Sequence, residues 1–168
     1  MGYRPNPLVR SPMRGRSNIV GVGVGNVGNP FFVQTLQLLA EELDATGLRL
    51  MLFPARGERS EPSIREILHY RIDALVLLSV SPSSDLTEQC RRAQVPVIHY
   101  NRTTDLHDAS SVVGDNEIGA HAMAAHLLAG RHERFAFIAG TPNSSTNRER
   151  EREFCGYLAK KWNWKGLA

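Results

Sequence analysis

The chain has 168 residues, 42% of them apolar and 22% charged, enough for one ordinary domain or for parts of two smaller ones. Its formal charge of +3 is unevenly placed, because residues 1–17 hold four arginines and no acidic residue, which leaves the remainder at −1. There is no apolar run of bilayer-spanning length, no apolar h-region behind the basic N-terminus, and only Cys90 and Cys155 to supply thiols. The composition therefore argues against a membrane protein, a signal peptide, a disulfide framework and a C-x-x-C site, and the expected setting is soluble, reducing and cytoplasmic.

The first segment, Gly2 to Ser17, is basic and Pro-rich and reads as a linker rather than a packed element. From residue 18 onward, short β-branched apolar runs alternate with longer amphipathic ones, the pattern of βα units around a parallel sheet. Strands are predicted at Ile19 to Val24, Leu48 to Phe53, Ala74 to Ser79, Val95 to Tyr100, Ser111 to Val113 and Phe135 to Ala139. Their continuous apolar character suits strands covered on both faces. Helices are predicted at Pro30 to Thr46, where Leu36, Leu39, Ala40 and Leu43 form one stripe ahead of Gly47, and at Glu61 to Tyr70, Ser84 to Ala93, Glu117 to Ala129 and Asn147 to Lys160. After that helix, residues 161–168 carry Trp162 and Trp164 and no further strand, so the sheet reads as unfinished and the chain as truncated.

Between the first strand and first helix, Gly23, Gly25 and Gly28 match G-x-G-x-x-G. In a dinucleotide-binding fold such glycines admit a pyrophosphate to a helix N-terminus, and Arg56 and Arg59 would then hold the 2′-phosphate of NADP. This alternative, an NADP-binding oxidoreductase domain, predicts nucleotide binding that is lost in Arg56→Ala. Against it, Pro30 suits the first turn of a helix that begins after the third glycine, which misplaces the phosphate site. Gly21 and Gly23 within the strand also suit the close passage of another backbone. No other catalytic pattern competes: G-x-S-x-G and H-E-x-x-H are absent, and His121 and His126, five apart, do not share one helical face. No enzyme activity, metal or cofactor is expected.

Asn29-Pro30-Phe31-Phe32, preceded by Ser17-Asn18-Ile19-Val20-Gly21, resembles the start of the effector-binding domain of LacI/GalR-type transcriptional regulators. Tyr3-Arg4-Pro5-Asn6 with Leu8, Arg10-Ser11 and Gly15-Arg16-Ser17 resembles the hinge of that family. Further along, Arg71 to Val76, Val95-Pro96-Val97-Ile98, Gly114 to Ala120, His132 to Gly140 and Ser144 to Arg150 resemble its successive strands, crossover and helix start. The motifs are modest singly, and they occur in order over residues 2 to about 160. What they imply is an α/β, doubly wound parallel sheet of periplasmic-binding-protein-like type I, with a nearly complete first subdomain at 18–114 and a truncated second one at 115–168. Residues 1–17 are then the remnant of a hinge to a helix-turn-helix region that the chain lacks.

The resemblance also implies a small-molecule effector, a sugar or related metabolite, held beyond the carboxyl ends of the strands. Asn26, Asn29, Phe31 and Phe32 would line the first-subdomain side, Phe32 having a core position in the first helix as its competing assignment. Asp115 would accept ligand hydroxyls, a role compatible with capping the following helix, and Arg150 would grip hydroxyls or carboxylate with its guanidinium fork. The competing assignment for Arg150 is a solvated helix of alternating Arg and Glu. In the hinge, Arg4, Arg10, Arg14 and Arg16 would touch DNA phosphates, and Pro12 stands where relatives carry a leucine that wedges into the minor groove. A proline there weakens the short hinge helix, so DNA recognition belongs to the intact regulator and specific operator binding is not expected of this chain. Glu151 and Glu153 stand at positions usually apolar and glycine, and side-by-side homodimers are the association implied.

Overall fold

The computed structural model describes residues 16–25, 28–55, 62–80, 84–103 and 110–162. In chain order these form β1 (Ile19–Val24), α1 (Pro30–Ala45), β2 (Arg49–Pro54), α2 (Ile64–His69), β3 (Ala74–Leu78), α3 (Ser84–Arg92), β4 (Val97–Tyr100), β5 (Ser110–Val112), α4 (Asn116–Ala129) and α5 (Ser145–Trp162). The five strands make one sheet in the order β2-β1-β3-β4-β5, every neighbouring pair parallel. The order reverses between β1 and β3, and in such a sheet the loops leaving those two strands diverge to opposite faces and open a crevice at the carboxyl edge.

Alternation within β1 and β3 divides the core. Val20, Val22, Val24, Val76 and Leu78 face α1, whose Phe32, Leu36, Leu39 and Leu43 cover them. Ile19, Leu75 and Leu77 face the other way, toward Ile67 of α2 and Leu86 and Cys90 of α3. On that face β1 presents Gly21 and Gly23. A Cβ at Gly21 would lie 2.5 Å from Ile72 Cδ1, and one at Gly23 would lie 2.8 Å from Leu77 Cδ2 and 2.9 Å from Pro62 Cγ. The glycine pattern of β1 is thus a packing feature, required because neighbouring side chains fill the space a Cβ would take.

Local chemistry sets the helix ends. Asn29 caps α1 by accepting the Phe31 N–H at 3.0 Å, and Pro30 takes the first helical position. The second helix begins at Ile64 rather than at Glu61 as predicted, with Ser63 as its cap in an S-x-x-E arrangement with Glu66. The last helix starts two residues earlier than predicted, at Ser145, because the buried Ser144 hydroxyl accepts the Asn147 N–H at 3.2 Å.

The predicted strand Phe135 to Ala139 is corrected: those residues form no strand. Phe135 enters a separate apolar cluster with Ala120 and Ala124 of α4 and Phe154 and Leu158 of α5, and the Phe137 ring lies 5.5 Å from that of Phe154. Ile138, however, is 96% exposed. A strand is defined by its ladder to a neighbour, and among the described residues no strand pairs with this run.

Candidate functional site

The carboxyl edge of the sheet collects polar and aromatic groups from both halves of the chain. At the start of α1, Asn29 is exposed and committed to its capping bond, in which it accepts the Phe31 N–H. Phe31 is 50% exposed and stacks on Tyr100, the last residue of β4, with ring centroids 6.2 Å apart and planes 27° from parallel. Phe32 is turned the other way, 5% exposed against the β1 and β3 valines, and offers the carboxyl edge almost no surface. Of the two adjacent phenylalanines, one is an available face and the other is core.

The chain leaves β3 and β4 through residues of positive φ, Ser79 (53°) and Asn101 (59°). Such backbone is unusual for side chains other than Gly, Asn and Asp, and here hydrogen bonding holds it. Ser79 donates its N–H to the Tyr100 carbonyl at 3.1 Å, Asn101 donates its own to the Val112 carbonyl at 2.9 Å, and Asn101 Nδ2 reaches Ser79 Oγ at 3.3 Å. The next residue, Arg102, crosses to the second half of the chain. Its Nη1 donates to the Asn101 carbonyl at 2.8 Å and to Thr146 Oγ1 at 2.9 Å, and the Thr103 N–H donates to Ser145 Oγ at 2.9 Å. The start of α5 is thereby tied to the end of β4. Arg102 Nε is enclosed without a hydrogen-bond partner, and burial, together with the nearby positive charge of Arg150, pushes its guanidinium below the usual range.

Arg150 lies one turn beyond Thr146. Its Nε donates to Asn116 Oδ1 at 2.7 Å, and the buried Asn116 amide in turn donates through Nδ2 to Glu149 Oε2 at 2.7 Å. Asp115, beside Asn116, caps α4 by accepting the Ile118 N–H at 2.8 Å and is exposed. Contacts and chain neighbours therefore link Asn29 and Phe31 through Tyr100, Asn101 and Arg102 to Thr146, and one turn of α5 separates Thr146 from the second group, Arg150, Asn116 and Asp115. Tyr100, Asn101, Arg102, Asn116 and Thr146 are the members that sequence reasoning missed. The signal available for them was position alone, at the ends of the fourth strand and the starts of the last two helices.

Asn26, and Arg56 and Arg59 of the nucleotide alternative, lie outside the described residues, as do Arg4, Arg10, Pro12 and Arg14 of the hinge. Arg16 is described and exposed, at the opposite edge of the sheet beside the first residues of β1. Cys90 is fully buried and its thiol is pushed up to about 11 by that burial, as befits a packing residue. No helix of the described residues is long and apolar enough to cross a membrane.

The sequence profile described as "Periplasmic binding proteins and sugar binding domain of LacI family" matches residues 17–162. The maltose regulon regulatory protein MalI of Escherichia coli (strain K12) is 28% identical over 163 residues, which cover 95% of this chain and 48% of MalI. The ribose import binding protein RbsB of Bacillus subtilis (strain 168) is 25% identical over 142 residues, covering 80% of this chain and 47% of RbsB. In fold, the chain is similar to a periplasmic binding protein/LacI transcriptional regulator from Alkaliphilus metalliredigens QYMF solved with D-xylulofuranose. The TM-score is 0.76 at 20% identity, over 86% of this chain and 53% of that one. The chain spans about half the length of the curated relatives it matches. With its parallel sheet, its order reversal between β1 and β3 and this sequence match, the chain belongs to the family of periplasmic binding proteins and LacI-type sugar-binding domains.

Proposed function

We propose that the chain is the effector-receiving portion of a LacI-type transcriptional regulator, in which a small polar metabolite of the sugar class occupies the crevice and thereby controls DNA binding by the whole protein. The observation that carries this reading is the convergence of the Phe31–Tyr100 pair, Arg102 bound to Thr146 on the first turn of α5, and Arg150 bound to Asn116 one turn further along that helix. The Phe31 and Tyr100 rings provide an aromatic wall on which the C–H face of a sugar stacks. Arg150, oriented through Nε by Asn116, presents its charged fork to hydroxyl, carboxylate or phosphate oxygens. Asp115 accepts a hydroxyl with the lone pairs its capping bond leaves over. The task is binding rather than bond-making, so no step of catalysis is assigned. The subdomain division at 18–114 and from 115 onward, and the hinge role of residues 1–17, belong to the same proposal. The relatives support the sugar class: MalI is named for the maltose regulon and the A. metalliredigens protein was solved with D-xylulofuranose.

Thermal-shift screening of the 168-residue chain against aldoses, ketoses, disaccharides and sugar phosphates, followed by calorimetry on hits, tests the assignment. The expected result is a saturable ligand whose affinity falls at least about tenfold in Arg150→Ala, the loss of a charge-assisted hydrogen bond. A ligand unaffected by Arg150→Ala and by Phe31→Ala sinks the site, and saturable NADP(H) binding revives the oxidoreductase alternative. DNA affinity of this chain is expected to be sequence-blind and to fall steeply with salt, since arginine contacts to phosphate carry no base readout.

A further inference from the structure

We propose that Glu117, His121 and Glu153 form a divalent transition-metal site, occupied by Zn²⁺, that staples the start of α4 to the middle of α5. Glu117 and His121 are four residues apart on α4 and so share one helical face, and Glu153 projects from the facing helix α5. One ligand atom from each lies within 4.8 Å of the other two. His121 Nε2 and Glu153 Oε2 stand 3.3 Å apart. Tetrahedral Zn²⁺ with metal–nitrogen and metal–oxygen bonds of about 2.0–2.2 Å separates neighbouring ligand atoms by about 3.4 Å, so this pair already has the required spacing. Glu117 is exposed, and a rotamer change of its long side chain closes a remaining distance of at most about 1.4 Å.

The surroundings orient two of the three ligands. Arg152 Nε donates to Glu153 Oε1 at 2.8 Å, which leaves Oε2 turned toward His121. The His121 ring packs at 5.0 Å on Tyr157, one turn further along α5, and this contact limits the ring plane. With its other oxygen held by Arg152, Glu153 has the outer-shell support typical of ligating carboxylates. One imidazole nitrogen and two carboxylate oxygens select Zn²⁺, Co²⁺ or Ni²⁺ over Mg²⁺ and Ca²⁺, which prefer oxygen alone, and over Cu⁺, which prefers sulfur. Water completes four-coordination, and the partial exposure of His121 (34%) and Glu153 (20%) allows the ion to load from solvent. Below the site lies the Ala120, Ala124, Phe154 and Leu158 cluster, so the ion adds a polar cross-link at the rim of an apolar helix contact. None of the three ligands belongs to the two groups of contacts that include Asn29 and Asp115, and the proposal stands whether or not those groups bind an effector.

The test is a titration of the untagged, chelator-treated 168-residue chain with ZnCl₂, followed by thermal unfolding, with a parallel CoCl₂ titration followed by visible absorption. A saturable rise in Tm with Zn²⁺ is expected, because an ion bound only by the folded state stabilises it by mass action. Co²⁺ is expected to give the intense d–d bands of a four-coordinate site, bleached by Zn²⁺. His121→Ala and Glu153→Gln each weaken the apparent affinity at least tenfold and abolish the Co²⁺ bands, whereas His126→Ala changes neither and Mg²⁺ gives no rise. The proposal is overturned by a Tm indifferent to Zn²⁺, by a response that His121→Ala and Glu153→Gln leave intact, or by a Co²⁺ spectrum that stays that of the six-coordinate aqua ion. Any of these results would leave His121 and Glu153 as an ordinary ion pair.

Discussion

The five-stranded sheet and the α4/α5 pair bury apolar surface in different ways, and the contrast explains why one apolar run is a strand and another is not. Leu75 to Leu78 of β3 lie between β1 and β4, hydrogen-bonded on both sides and covered on both faces. Phe135 to Ala139 is nearly as apolar, yet only Phe135 is buried while Ile138 is almost wholly exposed, and the run has no ladder partner among the described residues. Apolar character makes a segment eligible for burial, whereas a neighbour with free backbone groups makes it a strand.

The contrast is broken most forcefully in the sheet. Leu77→Ala, at a fully buried position, is expected to cost about 4 kcal/mol and to shift every probe of unfolding together, measured as the denaturant midpoint by circular dichroism and fluorescence. Leu158→Ala, equally buried but within the helix pair, is expected to cost about 2–3 kcal/mol. Hydrogen exchange should place that loss in α4 and α5 and leave amides of β1 and β3 protected; uniform loss would mean that the two regions unfold as one.

A pH experiment sharpens the sheet side. His99 is 1% exposed on β4, its Nε2 has no hydrogen-bond partner, and burial holds its imidazole below the usual range. The unfolded chain therefore takes up a proton first as pH falls. Stability should be level above about pH 7 and decline once pH drops through about 6.5 toward the lowered folded value, by at most about 1.4 kcal/mol per pH unit. His99→Gln should flatten that decline between pH 6.5 and 5; an unchanged slope would assign it to another group.

Smaller effects are expected at the surface. Glu88 is bridged by Arg91 at 2.7 Å and Arg92 at 2.8 Å, and these bonds hold its carboxyl at about 2. Its contribution is present above the ordinary carboxylate range and is lost as pH falls toward 2, and Glu88→Gln should lower the midpoint slightly, an effect that high salt erases. Smallest of all, Ile138→Ser should leave stability within about 0.5 kcal/mol of the parent, as for other surface substitutions. A larger loss would show that Ile138 is covered in solution.

The parallel sheet was legible because its cause is local and repetitive. Runs such as Ile19 to Val24 and Ala74 to Leu78 are short, continuous and separated by amphipathic stretches, a pattern with few other solutions. Asn29, Phe31, Asp115 and Arg150 were legible as candidates through resemblance, and they come to the same edge of the sheet. Sequence alone could not divide Phe31 from Phe32, because one residue of helix rotates a side chain by about 100°, and only the position of the sheet says which of the two is covered. Nor could it pair His121 with Glu153. The two are 32 positions apart, and linear spacing shows the ligands of one helix but not those brought up by its neighbour.

By itself, then, the sequence determined the class of fold, the covered central strands β1 and β3 and the family, since hydrophobic period, caps and ordered motifs are properties of neighbouring residues. Tertiary structure decided which glycines are obligatory, that Phe135 to Ala139 is no strand, that Arg102 bridges to α5, and that Glu117, His121 and Glu153 converge. The physical reason is common to all four. Each depends on what occupies the space a few ångströms away, and that neighbour comes from a different part of the chain.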